Sequence, residues 1–197
     1  ELALDYNNQS INLATENNNK KLLANNLYYR SLMSINANDY KEAKVDINKA
    51  IKIAKANNYL NPAAKYLDCL GIIYRYEKKY EKALKIVEES LSISKVIGNR
   101  HEERKYLNSL GLIKEQTADY AGALDIYLKC LKLSKNINEK RSIAVSYNNI
   151  ACVYSDLNEF MLAIKNFKKA LIYSKRIKYK EGIAAYVEKR VANFTGN

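Results

Sequence analysis

The sequence predicts an all-α solenoid of stacked antiparallel helix pairs, and three observations predict it. Residues recur every forty positions without insertion or deletion: Ala3, Ala43, Ala83, Ala123 and Ala163 share one column. Tyr40, Tyr80, Tyr120 and Phe160 stand three residues before the last four of these, and Ser31, Gly71, Gly111 and Ala151 form another column. A fixed period between twenty and fifty marks a stacked-repeat architecture. Within a unit the apolar residues follow helical spacing, as Leu67, Leu70, Ile73 and Tyr74 do over 61–77, and Ala83, Leu84, Val87 and Leu91 over 80–97, with Ile93 or Ser94 completing that face. Asn18, Asn58, Gly98 and Asn138 share a column between units, and these residue types tolerate the left-handed conformation that ends a helix.

The elements follow in order. In residues 1–19, Ala3, Ser10, Ile11 and Ala14 match the columns of Ala43, Ala50, Ile51 and Ala54, so this segment reads as the second helix of a partial unit. Four full units follow at 20–59, 60–99, 100–139 and 140–179, each helix, tight turn, helix. Residues 180–197 read as an unpaired first helix, its apolar pattern running over 181–193. A longer parent chain is therefore expected. The break inside a unit is short and polar, as in Asn36-Ala37-Asn38-Asp39 or Glu77-Lys78-Lys79, and the break between units is expected to be sharper. Asn61-Pro62 reads as an N-cap followed by proline at the first helical position. Gly71, Gly111 and Ala151 are expected to face Ala83, Ala123 and Ala163, letting the two backbones approach. The aromatic column is expected to fill the space between one unit and the next.

Composition narrows the function classes. A hydrophobic content of 48% supports a continuous core, while one proline, six glycines and no Pro/Ser-rich linker give no internal boundary. No run of about eighteen apolar residues predicts a membrane span. The net charge of +12 and pI near 9.4 favour acidic partners. Much of that charge has a local explanation: Lys55, Lys95, Lys135 and Lys175 share a column near helix ends, where a cation complements the helix dipole. Cys69, Cys130 and Cys152 lie in different columns without C-x-x-C spacing, and read as small core residues rather than a disulfide framework. They do not settle the compartment; a cytoplasmic setting is favoured, with the periplasm open to a bacterial sensor.

The pattern Leu67, Leu70, Gly71, Tyr74, Tyr80, Ala83 and Val87 resembles the tetratricopeptide repeat, whose usual period is 34. The forty-residue spacing is similar to the long-helix variety found in polarity adaptors and bacterial signalling proteins. The resemblance implies a right-handed superhelix whose first helices line a concave groove for a partner. Carried over column by column, that groove is lined by Asn25, Lys65 and Lys105; by Tyr28, Asp68, Asn108 and Asn148; and by Tyr29, Cys69, Ser109 and Asn149. Leu32, Ile72, Leu112 and Cys152 form either an exposed apolar stripe or a packed one, and Tyr76 lies further along. Lys65, Lys105, Asn108 and Asn149 resemble parts of the set with which chaperone-binding members grip a terminal carboxylate, but not in the usual register. Arg30 falls in the column of Leu70, Leu110 and Ile150. There it is either a packed stem whose head reaches water or a carboxylate, or a contact for an acidic ligand group; Lys114, in the tyrosine column, invites the same two readings.

Nothing in the chain reads as catalytic. His101 stands at a repeat junction beside Glu102 and Glu103, too few ligands for a metal site, and no Gly-rich phosphate loop or serine–histidine or cysteine–histidine pairing is present. No cofactor is expected. The expected function is a protein-interaction scaffold that binds a peptide or helical segment of a partner, or of its own parent chain, in the groove. A sensory or regulatory array in a larger bacterial signalling or transcription-regulating protein is the alternative. Nucleic-acid binding is the reading least supported, and the apolar faces at the two ends offer a route to a homodimer.

Overall fold

Small residues at fixed intervals leave room for helix backbones to meet, and the chain fills that room regularly. The computed structural model describes residues 2–175, and these are all helix and tight turn. The helices are α1 (Leu2–Glu16), α2 (Lys20–Asn36), α3 (Tyr40–Ala56), α4 (Leu60–Tyr76), α5 (Tyr80–Val96), α6 (Arg100–Gln116), α7 (Tyr120–Asn136), α8 (Lys140–Asp156) and α9 (Phe160–Lys175). The helix expected over 181–193 lies outside the described residues. Ala43, Ala83, Ala123 and Ala163 are wholly buried, whereas Ala3 is exposed.

Every turn between these helices is built the same way. Asn18, Asn38, Asn58, Lys78, Gly98, Ala118, Asn138 and Asn158 all have φ between 50° and 69°. In each, the left-handed residue's N–H returns to the carbonyl three residues back and the next N–H to the carbonyl five back, as in Asn38 to Ile35 (2.9 Å) and Asp39 to Ser34 (2.8 Å). This is the Schellman closure, which satisfies carbonyls that a helix end leaves open. The break inside a unit is therefore as sharp as the break between units, contrary to the sequence expectation. Backbone hydrogen bonds impose the conformation even on Lys78 and Ala118, whose Cβ makes it cost about 1–2 kcal/mol.

Side chains at Asn19, Asp39, Asn99 and Asp119 then accept from the N–H three residues on and start the following helices. The Asn61-Pro62 reading needs correction. Helix α4 begins at Leu60 with Tyr59 at the N-cap, so Pro62 sits at its third position. The first intrahelical bond there runs from Ala63 N–H to Tyr59 O, so proline at 62 forfeits none.

The chain divides into two units, residues 1–109 and 110–197. In the first, consecutive helices from α1 to α5 pack on one another, around a core that includes Ile47, Leu67 and Ile73. Arg30 interrupts an apolar column and Asp46 shares one with Ile86 and Ile126, and they meet: Arg30 Nε and Nη2 donate to the two Asp46 oxygens at 2.6 and 2.7 Å, and Nη1 donates to Asn8 Oδ1 at 2.9 Å. Asp46 is wholly buried and the Arg30 side chain is 24% exposed. Tyr40 stacks on Tyr76 at 5.7 Å, which accords with an aromatic filling the space between units.

In the second unit α7 packs on α8 and α8 on α9, with Tyr127, Val153 and Phe167 fully buried. The glycine column serves a different neighbour from the one expected. A Cβ on Gly111 would lie 2.4 Å from the Tyr127 ring, and one on Gly71 would lie 2.4 Å from Val87 Cγ2, whereas Ala83 O stays 3.6 Å away. The small residue makes room for a large side chain one turn beyond the alanine. Phe160, in the same column as Tyr40, is 44% exposed.

Candidate functional site

The predicted groove residues lie on α2, α4, α6 and α8, because a three-to-four-residue spacing on each helix puts them on one face. In the first unit, Asn25, Lys65 and Lys105 border a pocket of about 270 Å³, with Asn61, Pro62, Tyr66 and Glu102 completing its wall. The Lys65 ammonium lies over the Tyr28 ring, 4.2 Å from its centroid, and 5.5 Å from that of Tyr29. Tyr28 in turn packs at 5.3 Å against both Tyr29 and Tyr66. Tyr29 and Tyr76 are about half exposed, and Tyr28 is half-buried. Lys105 donates to Glu102 at 2.7 Å.

Asp68 carries the most perturbed chemistry. Burial pushes its carboxyl up to about 7, and the Glu102 charge adds to this. A hydrogen bond from Ser109 and the charges of Lys105 and Arg75 hold it back. Its Oδ1 is buried with no hydrogen-bond partner. Burial also pushes Tyr66 and the Cys69 thiol up to about 12, and raises Tyr28 and Tyr106. Burial works against the charge of Glu102, but the hydrogen bond and charge of Lys105 keep its pKa below the usual carboxylate range.

Two expected lining positions are not available. Cys69 and Ser109 are 3% and 9% exposed, because on α4 and α6 this position turns into the core, where the Ser31 hydroxyl lies 3.9 Å from Cys69 Sγ. The column three positions on, Leu32, Ile72, Leu112 and Cys152, is half-buried throughout, and Leu32 and Leu112 also pack against their cores. It divides its surface between the two roles that the sequence offered it. Asn108 is half-buried on α6.

In the second unit Asn148 and Asn149 are half-buried on α8; Asn148 Nδ2 lies 3.9 Å from Cys152 Sγ, and its Oδ1 is buried without a partner. Arg30 reaches a carboxylate of its own chain, and Lys114 does likewise, donating to Asp119 at 2.7 Å. Sequence reasoning passed over Glu102, Asn61 and Tyr66. The spacing of Glu102 and Lys105, one turn apart on a helix, was the signal for the first; Tyr66 sits in a core column and gave none. Among the described residues no group of three or more His, Cys, Asp or Glu side chains is arranged to hold a metal ion.

Sequence models described as Tetratricopeptide repeat match residues 26–57, 62–136 and 105–173. The chain belongs to the tetratricopeptide repeat family. Such repeats form protein-interaction modules. Solved structures with similar folds include BtubC from P. vanneervenii (17% identity, TM-score 0.72, covering 83% of this chain and 67% of that one). A second is a STAND protein with a tetratricopeptide repeat sensor from Pyrococcus horikoshii (20%, 0.74, covering 89% and 26%). A third is aspartyl phosphate phosphatase F from Bacillus subtilis (16%, 0.81, covering 87% and 45%). This tetratricopeptide chain thus spans a quarter to two thirds of the length of those structures. No curated protein matches its sequence significantly.

Proposed function

We propose that the first-helix faces of this tetratricopeptide array bind a peptide or helical segment of another protein, or of the parent chain. The observation that supports this most is the hydrogen-bonding capacity left open there. Asp68 Oδ1 in one unit and Asn148 Oδ1 in the other have no partner within the chain, and an unsatisfied buried polar atom costs about 1–3 kcal/mol. On the first unit's helices half-exposed Tyr29 and Tyr76 and half-buried Ile72 add apolar surface for such a segment. Pull-down from lysate of the source organism tests the reading. The wild-type chain is compared with one variant carrying Lys65→Glu and Asn108→Ala and another carrying Asn148→Ala and Asn149→Ala, all matched in helicity. A client captured by the wild type and lost from either variant supports groove binding; identical capture by all three overturns it.

The alternative, a sensory or regulatory array in a larger signalling protein, draws support from the similarity to a quarter-length stretch of a protein whose repeats are its sensor. Under that reading, ligand binding changes the array's conformation, and small-angle scattering with and without the captured client measures it.

A further inference from the structure

Residues on the outer faces of α7 and α9 combine charge and exposed aliphatic surface in a way that the groove does not explain. On α7 the exposed stripe runs Asp125, Leu128, Lys129, Lys132 and Lys135; on α9 it runs Met161, Lys165, Lys168, Ile172 and Lys175. Asp125 is the one acid on the two stripes, and Lys129 neutralises it at 2.6 Å. Among the described residues, Lys132, Lys165 and Lys168 have no carboxylate partner. The two helices flank α8, which packs on both: the Lys135 ammonium lies 5.6 Å from the centroid of Tyr147 on α8, and that of Lys169, next to Lys168 on α9, lies 5.3 Å from the same point. Two cations from different helices thus converge on one ring. In the other unit α5 is balanced, with Glu81, Glu88 and Glu89 among Lys82, Lys85 and Lys95, and on lysine-rich α3 Lys44 and Lys55 are paired with Glu77 and Glu89.

Apolar side chains alternate with the lysines. Met161, Leu128 and Ile172 are 80%, 52% and 50% exposed. They protrude from the stripes rather than line a groove, which suits a soft phase better than a shaped protein surface. Neither stripe carries an arginine fork or an aromatic platform of the kind that reads phosphate or stacks on bases.

We infer that the α7–α9 face is a peripheral docking surface for an anionic lipid bilayer. Its lysines meet the headgroups, and Met161, Leu128 and Ile172 enter the boundary of the acyl region. No helix among the described residues is long and apolar enough to cross a bilayer, so the contact is interfacial.

Vesicle co-sedimentation of the 197-residue chain tests this, with phosphatidylcholine vesicles and with vesicles containing 30 mol% (about a third) phosphatidylserine. Binding to the anionic vesicles alone, weakening with salt, is expected. Lys132→Gln, Lys165→Gln and Lys168→Gln together should weaken it about a hundredfold, at about fivefold per lysine. Met161→Ser with Ile172→Ser should weaken it roughly tenfold with the salt dependence unchanged. Lys49→Gln, Lys52→Gln and Lys85→Gln on α3 and α5 should leave it unaltered. No binding to the anionic vesicles overturns the inference, as does equal loss in the two triple variants. Binding of polyglutamate or single-stranded DNA as tight as that of the vesicles, and equally reduced by the α7–α9 lysine variant, also overturns it, assigning the face to an acidic protein or a nucleic acid.

Discussion

Replacing Arg30 by leucine restores the residue type found at Leu70 and Leu110, yet it should be among the more damaging changes in the first unit. Asp46 is wholly buried, and Arg30 satisfies both of its oxygens at 2.6 and 2.7 Å. That bond also holds the Arg30 guanidinium above its ordinary pKa, against the opposing effect of burial. Arg30→Leu leaves a carboxylate in a low-dielectric site with no cation, and breaking a buried pair from one side costs about 3–5 kcal/mol. Asp46→Ile should cost less, about 1–2 kcal/mol, because Arg30 is partly exposed and keeps water within reach. Made together, the two changes recreate the Leu70–Ile86 pairing of columns and remove both charges. The double variant should then lie within about 1–2 kcal/mol of wild type, or above it.

Urea unfolding followed by circular dichroism, on the wild type, both single variants and the double, closes the cycle. The coupling should be about 2–7 kcal/mol, far above that of an exposed pair. A cost below about 1 kcal/mol for Arg30→Leu, or a double variant as unstable as the worse single, would refute the reasoning: the first would mean that water reaches Asp46, the second that the site cannot repack.

Three further outcomes follow from single residues. Asp68, raised to about 7, retains its proton in the fold at pH values where an unfolded aspartate has lost it. Its stabilising contribution is therefore full below about pH 4 and lost as pH rises through about 7. Asp68→Asn should flatten the fall in urea midpoint between pH 5 and pH 8 by about 2–4 kcal/mol equivalent, and an unchanged slope would mean that the carboxyl is well solvated. Ala118→Gly should raise the thermal midpoint by about 0.5–1 kcal/mol equivalent, because relief of left-handed strain exceeds the entropy of the freer unfolded chain. Gly98→Ala, at φ 69° with open space around the added methyl, should lower it by a similar amount.

The fold was legible because the forty-residue register is unbroken, so each column could be tested four times. Less legible were the places where backbone hydrogen bonding or a distant partner decides the geometry. The turns at Lys78 and Ala118 carry no sequence mark of a left-handed residue; their conformation comes from the paired carbonyl bonds that close the helix end. The start of α4 was less legible because proline forfeits no intrahelical bond anywhere in the first turn, so Pro62 does not fix which residue caps the helix. Columns predicted the groove face, but they could not say how far round the helix the core extends, and so placed Cys69 and Ser109 in the groove. The Arg30–Asp46 pair was half visible: arginine in a leucine column was evident, whereas its partner requires reading the Asp46, Ile86, Ile126, Asn166 column against it.

A strict register also says where specificity has to reside. With helix lengths and turns held constant, one unit differs from another only in side chains that depart from their column. In a buried column such a departure needs compensation within the fold, since an uncompensated charge there costs as much as a small domain can spare; Arg30 and Asp46 meet that condition. Asp68 and Asn148, in the half-buried groove column, lack such compensation, because each keeps a buried oxygen without a partner. The array must offset that cost through its alanine and aromatic core, and a binding partner that donates to those atoms would recover it. Incomplete compensation on the first helices thus distinguishes a residue positioned for a partner from one positioned for the fold.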